Sequence, residues 1–148
     1  MDPSKIQIIR QIMFSDASAI FEVDLDGQKY ALKLFHDNGD PGYTEKGRDL
    51  NRFRCELNAY EKLLASGVCA GESLNCVNYS DALYPQAIEV MQEIHRAGVH
   101  HRDIYPKNLL LVRGNPDRLV WIDFDVATTF TDFGPEQLAR CDHEISLV

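Results

Sequence analysis

Cationic charge is scarce in this 148-residue chain, with 15 lysines and arginines against 23 aspartates and glutamates and a formal net charge of −8. That balance argues against nucleic acid or an anionic membrane surface as the main partner. Cysteine is scarce too. The four thiols, Cys55, Cys69, Cys76 and Cys141, are too few and too irregularly spaced for a disulfide scaffold, and the absence of a C-x-x-C pair disfavours a zinc site built from Cys69, Cys76 and His100 or His101. No apolar run reaches membrane-spanning length, and the start MDPSKIQIIR lacks the charged-then-apolar layout of a signal peptide, so a cytoplasmic protein is expected. Internal repeats and low-complexity stretches are missing as well. What is present is an ordinary globular balance, 45% hydrophobic and 26% charged, enough for one core.

Apolar runs over Ile6 to Met13, Ala19 to Asp24 and Lys29 to Phe35 predict three strands, the last two joined by the Asp26-Gly27 turn. The glycine-containing, charged stretch from His36 to Gly47 reads as a loop. Phe53, Leu57, Tyr60 and Leu64 recur at helical spacing and predict a helix buried along that stripe, ending near Ser66-Gly67. Ile88, Met91, Ile94 and His95 predict a second helix closed by Gly98. Leu109 to Val112 and Leu119 to Phe124 flank the turn-forming residues 113–117 as a hairpin, and a last helix is expected from about Pro135. Strands, two helices, then strands again indicate α+β organisation.

The chemistry-bearing segment is His101-Arg102-Asp103-Ile104-Tyr105-Pro106-Lys107-Asn108, which fits H-R-D-x-x-x-x-N. Fifteen positions after Asn108 stands Asp123, in Trp121-Ile122-Asp123-Phe124-Asp125. With these two motifs in order, the chain resembles the protein-kinase-like superfamily from about Ile12 to Thr129. Asp125, in place of the usual glycine, is a feature shared with choline and aminoglycoside phosphotransferases. The resemblance implies an α+β, partial protein-kinase-like fold: a small amino-terminal antiparallel sheet with a helix (1–66), then a catalytic-loop helix and hairpin (83–148), with most of the helical lobe missing. It implies ATP and Mg2+ as cofactors, and transfer of the γ-phosphoryl group to a hydroxyl of a protein or a small molecule.

By that resemblance Asp103 is the catalytic base, and Asn108 and Asp123 are the oxygen ligands of Mg2+. Lys33, in Tyr30-Ala31-Leu32-Lys33-Leu34, pairs with the nucleotide phosphates and with Glu56 on the following helix; Glu61 points elsewhere. Lys107 either stabilises developing charge or lies at the surface. Asp132-Phe133-Gly134 spells the metal-binding triplet literally, but it follows no apolar strand, so Asp123 is preferred.

Two features depart from the family. Phe14 to Ala19, where a glycine-rich phosphate loop is expected, has no glycine, and only 18 residues separate Leu64 from Leu83, too few for a nucleotide hinge and its strands. With the chain stopping at Val148, the reading is of a truncated relative, weak or inactive as a catalyst, whose Leu109, Leu111, Val120 and Ile122 are left partly uncovered and open to self-association. The alternative is a pseudokinase-like binding module without turnover.

Overall fold

The computed structural model describes residues 2–68, 83–112 and 117–148. Cys69 and Cys76 lie outside them, as does most of the short interval between the two predicted helices. The architecture is mixed α/β, with three helices and small antiparallel sheets. It divides into two compact units, Met1–Pro41 and Gly42–Val148.

The first unit is an antiparallel meander of β1 (Gln7–Phe14), β2 (Ser18–Leu25) and β3 (Gln28–Phe35). The Asp26-Gly27 turn takes positive φ at both residues (54° and 84°), the geometry that twists a two-residue hairpin correctly. β2 and β3 keep unbroken register from Ser18↔Phe35 to Leu25↔Gln28. β1 is irregular, with register shifts between Ile8 and Arg10 and between Gln11 and Met13, and every residue along it is exposed.

The second unit holds α1 (Arg52–Ala65), α2 (Tyr84–Arg96), β4 (Val99–His100), β5 (Leu109–Val112), β6 (Arg118–Trp121), β7 (Thr128–Thr129) and α3 (Pro135–Ile145). β5 pairs with β6 from Leu109↔Trp121 to Val112↔Arg118, as the hairpin pattern predicts, although β6 ends at Trp121 rather than Phe124. β4 pairs with β7. α1 begins where Asn51 caps it, accepting from the Arg54 N–H.

The predicted burial of α1 is corrected. Phe53, Leu57, Tyr60 and Leu64 are exposed, and the buried face is Cys55, Glu56, Ala59 and Leu63. The small residues allow the close approach: Ala59 is fully covered, and α1 packs against β4 and β7 across it. Ala59 and Leu63 join Ala87, Met91 and Ile94 of α2, Leu109 and Leu111 of β5, Leu119 and Trp121 of β6, and Phe124 in one core. The expectation that Leu109 and Leu111 lie partly uncovered therefore fails; α2 packs on this hairpin, and the Trp121 indole N–H donates to the Ala87 carbonyl at 3.2 Å. Val120 and Ile122 are half-buried.

α2 ends at Gly98, where φ is +77°. The Gly98 carbonyl accepts from the Phe130 N–H at 2.8 Å, and the Lys62 ammonium donates to the Phe130 carbonyl. A Cβ on Gly98 would sit 2.4 Å from that carbonyl oxygen. Gly98→Ala combines a left-handed non-glycine residue with a backbone clash, and should lower unfolding free energy by at least ~2 kcal/mol. A melting temperature equal to wild type would contradict this packing.

Candidate functional site

The loop after β4 and the loop after β6 are adjacent because β5 and β6 form one hairpin; the Ile122 N–H donates to the Asn108 carbonyl at 2.8 Å. Together they carry Asp103, Lys107, Asn108, Asp123 and Asp125. Pro106–Asn108 is a single tight helical turn that feeds into β5.

Asn108 is 3% exposed, and its side-chain nitrogen donates to the Asp103 carbonyl at 2.9 Å and to Asp103 Oδ2 at 2.7 Å. Both bonds are made by nitrogen, which leaves the amide oxygen for another donor or a cation. Lys107 does not merely reach into solvent: its Nζ is 3.3 Å from Asp103 Oδ2 and 5.5 Å from the Tyr105 ring. Asp103, Lys107, Asp123 and Asp125 line one open pocket of about 420 Å³ with Arg48, Arg52 and Arg102.

His101 is fully buried, its ring tilted against Phe124 (4.5 Å between centroids) and edge-on to Trp121 (5.4 Å). The Asp103 N–H donates to its Nδ1 at 3.3 Å, and its Nε2 lies 2.9 Å from the Ile122 carbonyl. That pair of partners requires the proton on Nε2. Burial pushes the His101 pKa down, which favours the same neutral ring. His101 thus ties the Asp103 loop to the Asp123 loop.

Two residues of these loops hold left-handed backbone, Arg102 (φ 72°) and Asp123 (φ 65°); the remaining non-glycine case among the described residues is the hairpin Asp26. Such strain, on the order of 1–3 kcal/mol per residue, persists only where the surroundings impose it. For Arg102 the restraint comes from α3. Glu144, 2% exposed, accepts the Arg102 N–H at 2.5 Å, the His101 N–H at 3.0 Å and His95 Nε2 at 2.7 Å, with His100 Nε2 at 3.6 Å. Burial opposes the charge on Glu144, but His95, His100 and the two amides outweigh it and hold its pKa below the ordinary value. Sequence reasoning missed Glu144. A signal existed: a carboxylate one turn from Cys141, the other buried residue of α3, on the helix's inward face.

Arg52 was missed as well. Its Nη1 is 2.7 Å from Asp125 Oδ2, so the aspartate standing in place of glycine is anchored to the start of α1. Asp125 pushes the Arg52 pKa up further.

Glu56 is buried on α1 and Glu61 is exposed, while Lys33 belongs to the other unit, on β3, with its Nζ 4.9 Å from the Phe35 ring centroid. Asp132 is exposed, ahead of Gly134, which caps α3. In the β1–β2 turn the Ala17 and Ser18 N–H groups donate to Ser15 Oγ at 3.3 and 3.1 Å, and the Ser15 N–H donates to the Ser18 carbonyl at 2.9 Å. Those amides are occupied within the turn.

No group of three or more His, Cys, Asp or Glu among the described residues is disposed to hold a metal ion. Asp123 and Asn108 instead offer two oxygen donors. That set fits Mg2+, which binds through one or two carboxylates together with substrate phosphates rather than in an all-protein cage. No helix among the described residues is long and apolar enough to cross a membrane.

Residues 76–134 match the lipopolysaccharide kinase (Kdo/WaaP) family, a protein-kinase-like family, and the match spans both loops of the site. No curated protein matches the chain.

Proposed function

We propose that this chain is a kinase-type phosphotransferase with a partial protein-kinase-like fold, using ATP with Mg2+ to phosphorylate a hydroxyl acceptor. The observation that carries the reading is that Asp103, held by the buried Asn108, and Lys107 line the same pocket as Asp123, within the segment that matches a kinase family. Segments 1–66 and 83–148 are the counterparts of the two kinase lobes.

Asp103 is the carboxylate that orients the acceptor hydroxyl and takes its proton. It is held by Asn108 and accompanied by Lys107, whose ammonium is placed to balance charge on the transferred group. Asp123 and the Asn108 amide oxygen hold the cation, with Asp125 fixed by Arg52 beside them. Bound Mg2+ would neutralise charge developing on the phosphates. Lys33 is assigned to the α- and β-phosphates, as the kinase resemblance implies. The acceptor is a sugar hydroxyl of a lipopolysaccharide or related glycan rather than a protein side chain, since the matching family is a lipopolysaccharide kinase family.

The test of the acceptor is ADP release from Mg-ATP in the presence of lipopolysaccharide, beside a peptide rich in serine and tyrosine. Stimulation by the glycan alone is expected. Stimulation by the peptide alone would reverse the acceptor class.

A binding module without turnover is favoured by one observation. The turn amides that a phosphate-covering loop would present are bonded within Ser15 to Ser18. Mg-ATP binding with no ADP release under any acceptor would establish that second reading.

A further inference from the structure

A second cavity, about 370 Å³, lies in the same unit and is not needed by any step above. Its volume is within the range of small-molecule sites. Lys46, Arg48 and Arg140 bring cationic side chains to it, and Thr128 and Thr129 of β7 line it too. Arg48 also lines the catalytic pocket, beside Arg102, so the two spaces share a wall.

Carboxylates near these cations are engaged elsewhere: in the adjoining pocket Asp103 is held by Asn108 and Lys107, and Asp125 by Arg52. Asp49 lines the cavity, but both its oxygens are taken by Arg54, at 2.7 and 2.9 Å. Glu144 is occupied by His95 and the two loop amides. Glu136 pairs with Arg140 at 2.6 Å on exposed surface, where such pairs are weak. His100 is pushed toward its neutral form by burial. Arg48 and Arg102 form no ion pair among the described residues, and Arg48 Nε is buried there without a hydrogen-bond partner. Burial, together with Arg48 and then Arg140, pushes the Arg102 pKa below its ordinary value. Guanidinium groups that repel one another while a buried N–H goes unmet are stabilised by a multivalent oxyanion, and their planar forks match phosphate bidentately.

We propose that Arg48, Arg102 and Arg140 form a phosphate-binding subsite, and that it takes a phosphate group carried by the acceptor. The second half of this proposal rests on the phosphotransferase reading; the subsite itself does not. Arg102 precedes Asp103, and Arg48 opens onto both spaces, so a molecule anchored by its phosphate in the cavity extends along that wall toward the catalytic carboxylate. The acceptor is then a phosphate-bearing sugar, recognised by its anion before its hydroxyl.

The test is calorimetric titration with inorganic phosphate and then with glucose 6-phosphate, on the full chain without nucleotide. Omitting ATP separates this proposal from the phosphotransferase reading, because a chain with no kinase activity still binds phosphate here. Arg48→Gln and Arg140→Gln should each weaken inorganic phosphate by about tenfold or more, the scale of losing a charge-assisted hydrogen bond. Arg48→Lys should recover part of the loss. Arg140 is exposed, so its variant carries the test should Arg48→Gln not fold. Asp123→Asn and removal of Mg2+ should change nothing. Glucose 6-phosphate should compete with phosphate and bind more tightly, whereas glucose should not compete. Absence of phosphate binding, indifference to both arginine variants, or a requirement for Asp123 and Mg2+ would overturn the subsite. Glucose 6-phosphate binding no tighter than phosphate would overturn the acceptor assignment.

Discussion

Asp103→Asn is expected to lower the rate of ADP formation from Mg-ATP by a factor on the order of 10²–10⁴, the usual worth of a positioned general base. The asparagine keeps the size of the side chain, and an amide in this position still meets Asn108 and the loop backbone, so folding should survive. It cannot take a proton, and it no longer attracts the Lys107 ammonium that sits 3.3 Å from Oδ2 in the wild type. The absolute rate in this chain is expected to be low. Phosphoryl transfer gains its speed from positioning, misplacement by about 1 Å costs on the order of a hundredfold, and the Ser15 to Ser18 turn offers few spare amides to order the phosphates. The informative quantity is therefore the ratio between variant and wild type, with nucleotide affinity measured alongside. A variant that retains the wild-type rate would remove Asp103 from the role of base and would point to a contaminating ATPase.

Glu144→Ala should destabilise the unit by about 3–5 kcal/mol, the range for removing one partner of a buried ionic contact. The substitution strands His95, two backbone N–H groups and the left-handed Arg102 in one step. Glu144→Gln should cost less, since the amide oxygen still accepts from the loop. Activity should fall further than the folded fraction explains, because the same carboxylate sets the backbone leading into Asp103.

Acidification supplies an independent check on this cluster. The folded pKa of Glu144 is held below its unfolded value, so its contribution is complete above about 4.5 and is lost as pH falls through the folded value. The half-buried His100 and the buried His101 have lowered pKa, so the unfolded chain binds their protons first and stability begins to decline as pH drops below about 6.5. All three effects have the same sign. Unfolding free energy should therefore fall steadily from neutral pH to pH 4, and Glu144→Gln should flatten the lower part of that decline. An acid limb of unchanged slope in the variant would take Glu144 out of the account.

Local patterns carried much of this structure. The Asp26-Gly27 turn and the apolar runs of β2, β3, β5 and β6 depend on neighbours in sequence, and these strands formed there, with β6 stopping at Trp121 short of the expected Phe124. The site motif was legible for the same reason, since Asp103 to Asn108 is one short loop. What escaped was set at long range. Apolar spacing on α1 could not tell which of two adjacent faces turns inward, because Cys55 and Ala59 permit a close approach that Phe53 and Leu57 do not. Leu109 and Leu111 looked uncovered only while α2 was not known to lie against the hairpin. Glu144 and Arg52 act on residues more than forty positions away, and neither has a local signature that names its partner.

The central claim is that the Asp103 and Asp123 loops make one Mg-nucleotide site, and the direct measurement is Mg2+-dependent ATP binding by wild type, Asp123→Asn and Asp132→Asn. A ligand that binds only the folded protein raises its melting temperature, so a thermal-shift titration with and without Mg2+ reads it out for all three. The account predicts that ATP stabilises the wild type more when Mg2+ is present, that Asp123→Asn removes this dependence, and that Asp132→Asn, altered at an exposed position ahead of α3, keeps it. Loss of the Mg2+ effect in Asp132→Asn with retention in Asp123→Asn, or no stabilisation of the wild type by Mg-ATP at any concentration, would contradict it.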